Sequence, residues 1–258
     1  AVAVYGAGEA PLRRGRHMFF PLLHVLLLGV SGAFLTGDLF NLYVWFEVLL
    51  VGSFGLLILG GRRDDLEGAV KALVLNLLGS LLFLLAAGAV YGLAGTLNLA
   101  DLHGRLAEVY AVRPGAVTVV ALLLAVAFSL KAALFPLYFW LPASYHTPAA
   151  AIAAVFAALL TKVGVYSLLR VLTLPLAAVP DVYPVVLVAT TVTMLSGVLG
   201  AVAQMEMNRI LAWHSISQVG YISVGVGLLA VPQPEVPRAG LVAAVPAWSP
   251  VIIFTSMP

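Results

Sequence analysis

Residues 115–142 read GAVTVVALLLAVAFSLKAALFPLYFWLP, and the reading of this stretch decides the fold. No charge appears before Lys131. About 20 mostly apolar residues cross a hydrocarbon core of about 30 Å, so the stretch is long enough to span a bilayer. Lys131 sits inside the apolar run, and Pro136 follows a little over one turn later. Proline has no N–H, so the carbonyl of Ala132 loses its helical partner. Polar backbone at membrane depth is tolerated only where protein or water covers it. A broken helix beside an ionisable side chain is a way to build an ion site in transporters. A plain packing kink is the competing reading, and Ser129 and Lys131 weigh against it.

The rest of the chain agrees with a membrane location. Of 258 residues, 62% are hydrophobic and only 9% charged, against roughly 25% charged in an ordinary soluble domain. The mean hydropathy is +1.09. Too few polar groups exist to cover a soluble surface. A net charge of +2 is no footprint for nucleic acid. With no cysteine, disulfide frameworks, thiolate metal sites, iron–sulfur clusters and a Cys nucleophile are all excluded.

Seven apolar stretches are expected to span, near 19–36, 39–60, 68–94, 115–140, 148–174, 183–204 and 209–231. The class is an all-α, polytopic helix bundle, because the runs are continuous rather than alternating. The N-terminal stretch is not a signal peptide, since its arginines precede a full-length span with no cleavage site. Asn98 to Pro114 reads as a long polar connection. Ser144 to Pro148 reads as a tight turn in which His146 or Thr147 caps the next helix. Asp38 reads as the N-cap of its span. The stretch 232–258 holds several prolines and reads as an irregular tail. The chain begins without Met, and a fragment or truncated product is expected. The bias of arginines in short loops places the N-terminal side in the cytoplasm. Arg13, Arg14, Arg16, Arg62, Arg63 and Arg209 then lie there, with Arg105, Arg113, Arg170 and Arg238 opposite.

Charge type is the most informative feature. The arginines lie in connections or at span ends, whereas the lysines, Lys71, Lys131 and Lys162, lie within apolar stretches. Among the acids, Glu47 alone falls mid-span. Burying Glu47, Lys131 and Lys162 unpaired would cost on the order of 8–10 kcal/mol, at about 2.5–3.5 kcal/mol each. Lysine, unlike arginine, can release its proton when desolvated. The trio therefore fits a proton path, with structural ion pairs between helices as the alternative. Lys71 lies near a span end and can instead snorkel to the interface. His146 and His214 can pass protons near neutral pH or serve as interfacial hydrogen-bonding groups. His24 is open between a structural and a functional role, and His17 and His103 read as surface residues. Ser215, Ser217, Gln218 and Tyr221 form a polar stripe suited to helix–helix hydrogen bonds.

These stretches together resemble a known family. TGDLFNLYVWFE (36–47), the segment from Lys131 to Pro142 with the turn that follows, Thr161 to Tyr166, and Arg209 to Tyr221 resemble motifs of the antiporter-like proton-translocating membrane subunits. That family includes the D subunit of Mrp-type multisubunit cation/proton antiporters and the large membrane subunits of complex I (NADH:quinone oxidoreductase) and membrane hydrogenases. The wording of 36–61 and 142–172 is most similar to the Mrp D subunit. The resemblance covers residues 17–230.

It implies a partial copy of a fourteen-helix fold with two inverted five-helix repeats. The N-terminal cytoplasmic segment would be 1–18 and the transmembrane domain 19–231. The first repeat would be 19–174 and the second would begin at 183–231. Glu47 would match the fifth-helix glutamate, Lys131 the broken-helix lysine and Lys162 the eighth-helix residue. Lys71, His146 and His214 are auxiliary candidates, and Pro136 marks the break. The implied protein is a multi-pass subunit in a prokaryotic plasma membrane. Its partners would be other subunits, protons, a monovalent cation and the bilayer, with no cofactor and no metal. A chain of this extent would hold one half-channel. A redox-complex subunit using the same path is the second reading. A haem protein would need His24 and His214 as axial ligands. An inert anchor leaves the mid-span lysines without a reason.

Overall fold

A computed structural model describes residues 16–228, with backbone alone at 16 and 17. The expected N-terminal segment up to residue 15 and the proline-rich stretch 232–258 lie outside the described residues. The described chain folds as helices α1 (Arg16–Leu35), α2 (Leu39–Ile58), α3 (Arg63–Ala94), α4 (Leu99–Val112), α5 (Pro114–Ala132) and α6 (Trp140–Tyr145). Then come α7 (Ala150–Val155), a π turn (Phe156–Leu160), α8 (Thr161–Thr173), α9 (Val182–Val202) and α10 (Met207–Gly227).

Local chemistry sets the boundaries. Asp38 caps α2, its carboxylate accepting the Asn41 N–H at 2.9 Å as expected. Asn98 caps α4 by accepting from Ala100 N at 2.9 Å. The two capping loops pair with each other: Leu39 N–H donates to Leu97 O and Leu99 N–H to Gly37 O, both at 2.9 Å. α3 stops at Gly95, whose φ of +71° an L side chain rarely adopts. At its other end Asp65, 1% exposed, accepts both the Arg62 N–H and its guanidinium (2.8 Å to Oδ1). The same guanidinium donates to Thr147 O and so pins the α6–α7 turn to the start of α3. Arg62→Ala should leave a buried carboxylate without its cation. It is expected to cost about 1–3 kcal/mol, read as a lowered unfolding midpoint in detergent.

Among the described residues, six helical stretches are long and apolar enough to cross a membrane: α1, α2, α3, α5, the run from Ala150 to Thr173, and α9. The seventh expected stretch, 209–231, forms helix α10 over its described part but is not among those six. Asn208, Arg209, His214 and Gln218 make it more polar than a free-standing span. The expected connection from Asn98 to Pro114 is instead mostly helix α4. It buries Leu99, Leu102 and Leu106 and turns its charged residues outward, so an amphipathic face replaces a polar loop. α3 begins at Arg63, several residues before the expected start. The Ser144–Pro148 turn also differs. Thr147 donates backward to Ser144 O at 3.1 Å and His146 bonds Pro142 O, so neither side chain caps α7.

The outer contacts fix the path of the chain. Arg170 donates to Thr36 O, Tyr166 OH donates to Phe34 O at 3.1 Å, and His103 meets Leu174 O at 2.7 Å. The α1–α2 loop, the α3–α4 loop and the end of α8 therefore share one end of the bundle, the Arg170 end. Arg62, Thr147 and Arg209 mark the other.

Two hairpins pack alike. A Cβ on Gly29 would strike Leu49, one on Gly32 would strike Trp45, and one on Gly52 would strike Leu26. At one constant sequence offset, Gly197 meets Ser217, Gly200 meets Trp213 and Gly220 meets Met194. The α1–α2 and α9–α10 hairpins thus share a register of close backbone contact through small residues. Their tips point to opposite ends of the bundle.

The break in the central span is as expected but starts earlier. α5 ends at Ala132, and Ala133 takes a left-handed φ of +62°. Leu134 N–H donates to Ser129 O at 2.8 Å. The loose backbone groups find partners: Leu130 O accepts from the Trp140 indole at 3.0 Å, and Phe135 N–H donates to Thr193 Oγ1 at 2.7 Å. Covered in this way, irregular backbone is admissible inside a membrane.

Candidate functional site

The last turn of α5 carries Lys131 into the middle of the bundle, where it is 5% exposed. Its ammonium donates to Ser80 Oγ at 2.6 Å and to Asn76 O at 3.2 Å, both on α3. It also lies 5.3 Å from the centroid of the Phe46 ring. No hydrogen-bonding partner it touches is charged. Glu47, the residue after Phe46, makes neither an ion pair nor a hydrogen bond with it. One oxygen of Glu47, Oε1, is buried without a hydrogen-bond partner. A buried carboxylate oxygen without a donor retains capacity to accept a proton or a hydrogen bond.

The surroundings differ on the two sides of Lys131. Toward the Arg170 end, Phe46, Phe83 and Phe128 pack against one another, with Phe83 and Phe128 edge-on at 4.8 Å. Toward the Arg62 end lies a cavity of about 20 Å³ bounded by Ser53, Asn76, Trp140, Ser144 and Tyr145. That is room for about one water.

Lys162 is 8% exposed, and its ammonium donates back to Ala157 O within the π turn. The π turn is thus placed at the second mid-span lysine, where such bulges often mark functional positions. Gly164, on the first turn of α8, lies against the α5 break: a Cβ there would sit 2.6 Å from Ala132 N and 2.8 Å from Lys131 C. This close approach brings α8 and Lys162 beside Lys131's helix.

The auxiliary residues separate into two clefts. Lys71 is half exposed and bonds Glu67 Oε1 at 2.6 Å, one turn away. With His146, Thr147, Asp64 and Arg209 it lines a cleft of about 320 Å³ at the Arg62 end. His214 faces Gln218 at 3.2 Å and, with Asn208 and Ser215, lines a cleft of about 290 Å³ between α7 and α10. Ala157 lines the same cleft. The structure therefore sets Lys131 just before the Pro136 break, with Glu47 next to the Phe46 ring it faces, places Lys162 directly after the π turn, and leaves Lys71, His146 and His214 lining the two clefts. His24 bonds Phe20 O at 2.7 Å on its own helix and is exposed, apart from His214. Sequence reasoning missed Asn76, Ser80 and Tyr145. Asn76 and Ser80 carry a legible signal, two polar residues one turn apart in the otherwise apolar stretch 72–90.

Residues 36–232 match the family described as NADH:quinone oxidoreductase/Mrp antiporter, TM. The D subunit of the Na(+)/H(+) antiporter of Alkalihalophilus pseudofirmus is 47% identical over 216 residues, which is 83% of this chain and 43% of that relative. A chain in the structure of the Mrp complex from a Dietzia species superposes with a TM-score of 0.75 at 38% identity, covering 81% of this chain and 39% of that one. A chain of an archaeal respiratory membrane complex, the membrane-bound sulfane sulfur reductase, also gives a TM-score of 0.75, at 30% identity over 81% of this chain and 45% of that chain. The chain thus spans less than half the length of each of these relatives.

Proposed function

Since the chain belongs to the NADH:quinone oxidoreductase/Mrp antiporter membrane family, we propose that it is the proton-carrying part of one component of a multisubunit Na⁺/H⁺ antiporter in a prokaryotic plasma membrane. The observation that carries this reading is the state of Lys131. It is buried mid-span and hydrogen-bonded only by neutral groups, and Glu47, next in sequence to the Phe46 ring its ammonium faces, keeps one buried oxygen free.

Glu47 holds the positive charge on Lys131 through space. When a coupled cation or a partner draws Glu47 away or neutralises it, the ammonium loses that support in a dry site and gives up its proton. The aromatic plug of Phe46, Phe83 and Phe128 bars the Arg170 side. The proton is therefore exchanged toward the Arg62 end or across the break toward Lys162. Lys71, His146 and His214 feed these approaches from water, and the Arg62 end faces the cytoplasm. The residues up to 174 act as one repeat, and α9–α10 opens a second. The match to an archaeal respiratory membrane complex favours a second reading, in which the same path serves a redox-driven pump.

The test uses the full assembled complex in inverted vesicles. Glu47→Ala and Lys131→Ala should each lower pH-gradient-driven cation exchange by about a hundredfold or more, the scale of losing a proton-transfer group. Exchange at the unsubstituted rate in both variants would remove the proposal.

A further inference from the structure

Consecutive residues at the end of α6 and in the turn after it border three separate spaces. Ser144 borders the Lys131 cavity, His146 and Thr147 border the cleft at the Arg62 end, and Pro148 borders the cleft between α7 and α10. Tyr145 faces two of them at once, the Lys131 cavity on one side and the α7–α10 cleft on the other. The contrast between these two is large: about 20 Å³ against about 290 Å³. One holds about a single water, and the other is roomy and has a polar wall.

The ring of Tyr145 is closely packed. It is 4% exposed, edge-on to Trp140 with centroids 5.9 Å apart, and tilted against Phe156 at 5.7 Å. Its hydroxyl donates to Phe156 O at 3.3 Å, long for an O–H donor, so the tether positions the ring without locking it. Phe156 opens the π turn, and the next residue, Ala157, supplies the carbonyl that holds Lys162. The turn after α6 is itself held in place by the Arg62 guanidinium on Thr147 O.

We propose that Tyr145 is a gate: its ring seals the Lys131 cavity from the α7–α10 cleft, and its swing joins Lys131 by water to the cleft whose wall carries the Lys162 anchor. Tyr145 is a positioning residue that decides when water connects the two lysines. Its role in transport rests on the proton path proposed above.

Water access can be measured without transport. The 258 residues contain no cysteine, so a single Ser53→Cys reports on the Lys131 cavity, and a separate Ala154→Cys reports on the open cleft. Both are placed in the full-length chain within its assembled complex and probed with a charged, water-soluble thiol reagent. Thiols elsewhere in the complex are accounted for by the unsubstituted protein. With Tyr145 present, Ser53→Cys should label slowly and Ala154→Cys readily. Tyr145→Ala should speed labelling at Ser53→Cys by about tenfold or more, as when a minor open state becomes the resting one. Labelling at Ala154→Cys should not change. Tyr145→Phe, which keeps the ring and loses the tether, should give a smaller rise at Ser53→Cys. Equal labelling at Ser53→Cys with and without Tyr145 overturns the gate. So does a parallel rise at both reporters, which would mean general loosening. If Tyr145→Ala does not accumulate, an unchanged Ser53→Cys rate in Tyr145→Phe overturns it. Labelling is independent of exchange, so failure of the gate leaves the Glu47 and Lys131 test standing, and the reverse also holds.

Discussion

Lys131→Arg should assemble normally and yet lose cation exchange about as fully as Lys131→Ala, by on the order of a hundredfold. Arginine keeps the positive charge and offers more donors than lysine, so Asn76 O and Ser80 Oγ retain a partner. Its guanidinium also stays attractive to the Phe46 ring. What it cannot do is let go of a proton at any pH a cell reaches. A role as a fixed countercharge for Glu47 would tolerate this change, whereas a role as a carrier would not. The measurement is exchange in vesicles normalised to the amount of assembled complex. Activity near the unsubstituted level would make Lys131 a structural cation.

Gly164→Leu should prevent assembly, and Gly164→Ala should weaken it by about 1–3 kcal/mol. A Cβ at 164 would meet Ala132 N at 2.6 Å and Ala132 Cα at 2.8 Å, which are backbone atoms with no flexible end to yield. Either α8 backs away or the break in α5 shifts. Both outcomes separate Lys162 from Lys131. The amount of intact complex recovered from membranes reads the first effect. The exchange rate per surviving complex reads the second, and it should fall even for the alanine variant. Full recovery and full activity of Gly164→Leu would mean that the helices do not approach as closely as described.

Spans, lysines and the broken helix were legible because each rests on a one-dimensional signal: run length, a charge within an apolar stretch, a proline. The cap at Asp38 was legible for the same reason. α4 was not, because Asn98 to Pro114 is polar on average and its apolar residues at 99, 102 and 106 show only when wound onto a helix. The early end of α5 was hidden because the break starts at Ala133, an alanine that nothing local forces into a left-handed turn. It is set by tertiary partners, the Trp140 indole and Thr193. The neutral cradle of Lys131 was missed for a similar reason. A mid-span lysine and a mid-span glutamate suggest a direct pair, whereas packing places α3 hydroxyl and carbonyl groups nearer to the ammonium. The repeated spacing of Gly29, Gly32, Trp45 and Gly52 with Gly197, Gly200, Trp213 and Gly220 was present in the sequence all along.

That matched spacing assigns every residue of α2 a counterpart on α10. Trp45 answers to Trp213 and Leu49 to Ser217, so Glu47 answers to Ser215, which spends its hydroxyl on Leu211 O at 2.9 Å. The two hairpins share a packing register and differ at this position: α2 carries an acid there, α10 an alcohol. The same backbone spacing therefore carries unlike polar groups at matched depth, and the Leu49–Ser217 pair extends that difference to the glycine contacts themselves.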